Sequence, residues 1–188
     1  MNTEVDQDLK IGVVGAGSWG TALANLLAGK GYELDLWVFE EDVCKQIEKQ
    51  RENKVFLPGV ILSANLRPTN DLRQAVADKD LVLVVVPSHV MRNVAEQMGA
   101  FLDADTLLVS ASKGIENQTH LTMSGVIREA LQNWPSSQLA VLSGPSFAKE
   151  VARKSPTVVT AASADVAVAA RIQSIFATPY FRVYTHTD

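Results

Sequence analysis

A chain of 188 residues, 47% hydrophobic and 20% charged, holds enough apolar material for one complete globular core and suggests a single domain over residues 1–188. Its net charge of −4 and the absence of any run of Lys and Arg argue against a nucleic-acid partner. One cysteine, Cys44, excludes an internal disulfide, and the longest strongly apolar run (residues 81–87) is too short for a bilayer, so a cytoplasmic chain without a membrane partner is expected.

Residues 1–10 are acidic and polar, without the apolar centre of a targeting signal. Residues 11–14 form a short apolar strand, followed by a helix over 18–30 that Gly31 stops. The stretch 33–39 alternates, with Leu34, Leu36 and Val38 on one side and Trp37 on the other, and predicts a second strand. A charged amphipathic helix over 41–52 ends in the loop Phe56-Leu57-Pro58-Gly59, and Cys44 lies in it as an unreactive, partly buried thiol. A strand at 66–68 leads to a helix over 71–77, for which Asn70 is the expected N-cap.

Residues 80–86 are a nearly continuous β-branched run, the pattern of a central parallel strand buried on both faces. After Pro87-Ser88-His89 a helix runs to about Met98. Strand 106–110 ends at Ser112-Lys113-Gly114, a helix covers 121–132, and strand 139–142 ends at Ser143-Gly144-Pro145-Ser146. Strand 156–162, an alanine-rich helix over 164–176 and strand 181–185 complete the chain. This alternation predicts a doubly wound, mostly parallel α/β sheet with helices on both faces.

The first strand runs directly into Gly15, Gly17 and Gly20, spaced G-x-G-x-x-G. Gly15 suits a tight turn, Gly17 lets backbone approach a pyrophosphate, and Gly20 lets helix pack on strand. The helix opening at Ser18 turns free N–H groups and a positive dipole end toward that pyrophosphate. Glu40 follows Gly20 by twenty residues, where a carboxylate accepts hydrogen bonds from a ribose diol. The competing reading is a glycine-rich turn that only packs. Val38-Phe39-Glu40-Glu41-Asp42 offers three carboxylates and no cation, so a ribose 2′-phosphate would be repelled, and NADH is preferred over NADPH.

In such sheets ligands bind beyond the carboxyl ends of the strands, where strand order reverses. Four strand ends carry suggestive residues and should open onto one crevice: 15–20, 87–89, 112–114 and 143–146. Lys113 suits a small phosphate or carboxylate, against the alternative of a solvated surface lysine. His89 could move a proton or merely satisfy a helix start, and His120 and His186 have no supporting context. Trp19 either shields the pyrophosphate or packs on its helix. Phe39 either stacks on adenine or joins the core. Ser143-Gly144-Pro145-Ser146 offers hydroxyls without a nucleophile elbow, and the scattered His and Cys have no metal-ligand spacing.

These residues resemble one family, the NAD(P)-dependent glycerol-3-phosphate dehydrogenases. The resemblance rests on Gly15-Ala-Gly-Ser-Trp-Gly-Thr-Ala-Leu-Ala24, Leu36-Trp-Val-Phe39, Phe56-Leu-Pro58, Val86-Pro-Ser-His89, Ser112-Lys-Gly114, Ser143-Gly-Pro-Ser-Phe-Ala148 and Phe181-Arg-Val-Tyr184, in family order over nearly the whole chain. It implies a Rossmann-like domain and the interconversion of dihydroxyacetone phosphate and sn-glycerol 3-phosphate, a precursor of phospholipids. It further implies that Ser18, Trp19, Phe39, Pro87 and Ala148 meet the cofactor beside the glycines and Glu40. Lys113 then meets both cofactor and substrate, and Gly144 and Ser146 line the substrate site.

The family's all-helical second domain, with its Gly-Ala-x-Lys-Asn general acid/base segment, has no counterpart here, so no catalytic residue is assigned and the chain alone is expected to be inactive. Family enzymes pair as homodimers through that domain, which leaves this chain expected as a monomer. Two other readings stand beside this one: a dehydrogenase of hydroxy acids or nucleotide sugars, and a non-catalytic NAD-sensing module.

Overall fold

The structure, a computed structural model, describes residues 8–187. Most of the polar stretch read at 1–10 therefore lies outside the described residues. Strands and helices alternate as β1 (Ile11–Val14), α1 (Ser18–Lys30), β2 (Leu34–Trp37), α2 (Glu41–Gln50), β3 (Leu66–Thr69), α3 (Leu72–Val76), β4 (Leu81–Val84) and α4 (Met91–Gly99). The second half continues as β5 (Leu107–Ser110), α5 (Met123–Ala130), β6 (Leu139–Ser143), α6 (Ala148–Ala152), β7 (Thr157–Ala162), α7 (Val166–Phe176) and β8 (Phe181–His186).

All eight strands join one sheet in the order β3-β2-β1-β4-β5-β6-β7-β8. Strands β1 to β6 pair in parallel, β7 meets β6 antiparallel, and β8 runs parallel to β7. The doubly wound, mostly parallel sheet expected from the sequence is therefore the fold, with its strand order reversing between β1 and β4. Val14 lies level with Trp37 on one side and Val84 on the other, so the loops after these strands leave from one line.

Strand alternation sorts the apolar residues into two cores. Ile11, Val13, Leu34, Leu36, Leu81 and Leu83 pack with α1, α2, α6 and α7. Val14, Val82, Val84 and Leu108 pack with α4 and α5 on the other face. Both faces being covered explains why the central strands read as unbroken apolar runs. Val38 falls in the first core and Trp37 against the second, as their alternation requires.

Glycine at position 12 has no role in the sequence reading, yet the fold depends on it. A Cβ there would overlap the carbonyl of Ala75 in α3. Asp35, 4% exposed, is held by Lys79 Nζ at 2.6 Å, Arg67 Nε at 3.2 Å and Gln74 Nε2 at 3.3 Å, which ties β2 to β3 and α3. A carboxylate this buried is tolerated because each oxygen is charge-paired.

Helix ends follow local chemistry with one correction. Gly31 stops α1 in the left-handed region (φ 112°), with Tyr32 N–H on Leu27 O. The cap of α3 is Asp71 rather than Asn70, its carboxylate accepting from Arg73 N–H at 2.9 Å. Asn70 is used elsewhere: its side-chain amide donates to Val38 O at 2.6 Å. Helix α5 is shorter than the 121–132 pattern because Thr122 caps it, accepting from Gly125 N–H. Helix α6, five residues long, is too short to show a period and was not expected.

Candidate functional site

The turn between β1 and α1 is shaped by three glycines acting differently. Gly15 adopts φ 114°, and a Cβ on it would overlap the Val85 carbonyl, so the backbone conformation and the space both demand glycine. A Cβ on Gly20 would overlap the Gly15 carbonyl, so its absence lets α1 lie close under the turn. Gly17 meets nothing within 4 Å. That space is open on the outside of the turn, where an approaching group would sit.

Gly17 is also the N-cap of α1 and, having no side chain, offers this helix start no capping hydrogen bond. The first-turn N–H groups are thus left for a ligand, and no acidic residue in that turn competes for them. These N–H donors and the bare Gly17 fit a pyrophosphate.

The turn is braced from outside by a residue that the sequence did not single out. Asn53 is fully buried, and its amide donates to Ala16 O at 2.8 Å and to Thr21 Oγ1 at 2.9 Å. Its carbonyl oxygen accepts from Phe56 N–H at 3.0 Å, while Ser18 Oγ donates to Phe56 O at 2.5 Å. The 53–57 turn and the glycine turn therefore form one hydrogen-bonded unit. Only the apolar Phe-Leu-Pro after Asn53 hinted that this segment turns inward, with Leu57 fully buried.

The four strand ends do come together. Gly15 N–H donates to Trp37 O at 3.2 Å, joining the ends of β1 and β2. Ser112 Oγ accepts from Val86 N–H at 2.9 Å, joining those of β4 and β5. Gly114, at φ 102°, lies beside the Ser88 side chain. Lys113 Nζ stands 5.5 Å from the Trp19 ring centre and donates to Gly144 O at 3.2 Å, so β1, β5 and β6 converge on one ammonium.

Other nominated residues divide by exposure. Phe39 is 76% exposed and meets Trp37 edge to face at 6.0 Å, presenting a bare ring beside Glu40. Glu40 is exposed at the N-cap of α2, followed by Glu41 and Asp42 in its first turn. Pro87 and His89 are exposed at the end of β4. Ser146 is buried, with its hydroxyl on Gly144 O at 3.3 Å, and Ala148 is the first residue of α6. A Cβ on Gly144 would crowd the Val158 carbonyl at 2.8 Å, so its smallness also serves β6–β7 packing.

Between α4 and α5 charge is structural. Arg92 grips Glu116 through two bonds of 2.9 and 2.7 Å and reaches Glu129, holding the Glu116 carboxyl down at about 2. Cys44 is buried in α2, and burial, then Glu48, pushes its thiol up, as suits an unreactive side chain. No group of His, Cys, Asp or Glu among the described residues is arranged for a metal ion. No helix among them is long and apolar enough to cross a membrane.

Residues 10–169 match the family described as NAD-dependent glycerol-3-phosphate dehydrogenase N-terminus. The chain is 54% identical to a glycerol-3-phosphate dehydrogenase [NAD(P)+] of Syntrophobacter fumaroxidans, over 95% of this chain and 52% of that protein. A namesake from Geobacter metallireducens is 51% identical over 95% of this chain and 53% of its own length. The solved glycerol-3-phosphate dehydrogenase of Coxiella burnetii superposes with a TM-score of 0.88 at 33% identity, over 96% of this chain and 54% of that one. The chain thus spans about half the length of the curated relatives it matches. By sequence and by fold, the chain belongs to the family of NAD-dependent glycerol-3-phosphate dehydrogenase N-terminal domains.

Proposed function

We propose that residues 1–188 form a single dinucleotide-binding domain that holds NAD(H) across the β1–β4 switch point for a glycerol-3-phosphate dehydrogenase. The observation that carries this reading is the open space at Gly17, set against free N–H groups at the start of α1. In it the pyrophosphate lies on the turn formed by Gly15, Gly17, Ser18 and Gly20, with Trp19 beside it. Phe39 offers its exposed ring to the adenine, Glu40 accepts from the ribose diol, and Pro87 and Ala148 border the nicotinamide half.

NADH is preferred over NADPH. The N-terminus of α2 would attract a 2′-phosphate by about 0.3–1 kcal/mol. Glu40, Glu41 and Asp42 place three carboxylates at that same end, and their repulsion outweighs the dipole. Glu40→Arg should shift the NADH-over-NADPH affinity ratio by about tenfold toward NADPH. Calorimetric titration of both coenzymes checks this, and an unchanged ratio overturns the assignment.

The substrate class is the phosphorylated three-carbon pair, dihydroxyacetone phosphate and sn-glycerol 3-phosphate. Lys113 would meet the substrate from its perch between Trp19 and Gly144, with Gly144 and Ser146 lining the approach. A bound nicotinamide supplies hydride to the carbonyl carbon, and the oxygen then needs a proton. Lys113 is engaged in binding contacts, so the chain alone should turn over negligibly while still binding NADH. In the cytoplasm it would act as the cofactor half of a longer, dimeric enzyme. A stopped-flow assay of NADH oxidation with dihydroxyacetone phosphate tests this, and turnover at an ordinary enzymatic rate of about 10 per second would overturn it.

A further inference from the structure

Residues 149–154 carry three cations, and folding brings two distant ones, Lys30 and Arg51, to the same groove. A groove of about 680 Å³ lies along the outward side of α1, walled by residues 58–63 on one flank and by α6 with residues 178–180 on the other. Lys30, Arg51, Lys149, Arg153 and Lys154 line it, and no carboxylate among the described residues does. None of the glycine-turn residues, Phe39, Lys113 or Gly144 borders it, so it is separate from the crevice described above.

Two of the five cations are already used. Lys30 Nζ donates to the carbonyls of Ser174, Ile175 and Ala177 at 3.0, 2.5 and 2.9 Å, and Arg51 donates twice to Leu62 O. The exposed side chains of Lys149, Arg153 and Lys154 have no hydrogen-bond or ion-pair partner among the described residues. A chain of net charge −4 thus gathers three unpaired cations on one wall, backed by two fixed ones.

A second observation concerns the floor. Gly29 lies in the last turn of α1 without a left-handed φ, and a Cβ there would meet nothing within 4 Å. Glycine within helical backbone is less favourable than alanine, and here neither backbone nor neighbours require it. Gly17 shows the same open space at the other end of the same helix. Opposite the cations, Leu26, Val60 and Ile61 give the groove an apolar side, with Ile61 68% exposed.

We propose that this groove binds a small organic polyphosphate, with phosphates on Lys149, Arg153 and Lys154 and the organic portion over Gly29 against Leu26, Val60 and Ile61. The groove volume suits a ligand of nucleotide size. The probes are ATP and inorganic tripolyphosphate, titrated by calorimetry into the 188-residue chain with and without saturating NADH.

The expected result is one saturable site that persists when NADH is bound, with ATP binding more tightly than tripolyphosphate. The double variant Arg153→Glu with Lys154→Glu should weaken both probes at least about tenfold. Gly29→Leu should weaken ATP more than tripolyphosphate. Unaltered far-ultraviolet circular dichroism and a thermal midpoint no lower than the parent's confirm that the variants fold. Probe binding that NADH abolishes, or that the double variant leaves unchanged, overturns the proposal. So does an absence of saturable binding up to about 5 mM. The titrations without NADH decide the matter even if the coenzyme itself does not bind, so the two readings fail separately.

Discussion

Gly12 and Gly20 differ from Gly17 and Gly29 in what would meet an added methyl group. At the first pair it would strike the chain's own carbonyl oxygens, those of Ala75 and Gly15. At the second pair it would stand in empty space. One pair is required by packing within the chain; the other leaves room for something outside it. Glycine-rich motifs therefore mix two kinds of necessity that spacing alone does not separate.

This contrast can be broken most forcefully at Gly20. Gly20→Ala should cost about 3 kcal/mol or more, because the obstacle is backbone on both sides, and a lowered urea midpoint would register it. Gly17→Ala should leave folding within about 0.5 kcal/mol, since Gly17 has extended backbone (φ −64°, ψ 178°) open to any residue. The same variant should weaken NADH binding by about 10- to 100-fold, read by calorimetry. If both variants lose stability equally, the distinction fails. Gly29→Ala should move the other way, gaining about 0.5–1 kcal/mol in the same urea assay.

The smallest effect lies far from either glycine pair and serves as a background for them. Glu116 has its carboxyl lowered from 4.5 to about 2 by Arg92. A depressed acid stabilises the fold fully above its unfolded value and loses that contribution as pH falls from 4.5 toward 2. Thermal midpoints of the parent and Arg92→Met should therefore differ at pH 6 and converge near pH 2.

The sequence disclosed what is local. The run at 81–84 announced a central strand because both its faces are covered, and Gly15 and Gly31 marked turns because φ above 100° favours glycine. It did not disclose what depends on distant partners. Asn70 was the expected cap of α3, but Val38, far along the chain, engages its amide and the cap falls to Asp71. Gly12 became necessary only when α3 crossed β1. The antiparallel turn into β7 left no periodic trace, because strand direction is set by the connection rather than by alternation. The convergence of the strand ends was legible from the sequence, because parallel strands release their loops along one edge of the sheet. Asn53 was not, since a polar residue in a loop gives no sign that it will be the most deeply buried amide near the turn.

Asn53 has a thermodynamic consequence. Its three side-chain hydrogen bonds, with that of Ser18, tie the glycine turn, the proposed nucleotide cradle, to the 53–57 turn before any guest arrives. A visiting dinucleotide then meets a finished mould, and the entropy surrendered on docking belongs mostly to the guest. The heat-capacity change on association should accordingly match the apolar area the nucleotide covers, without the surplus expected when a host segment folds around its ligand.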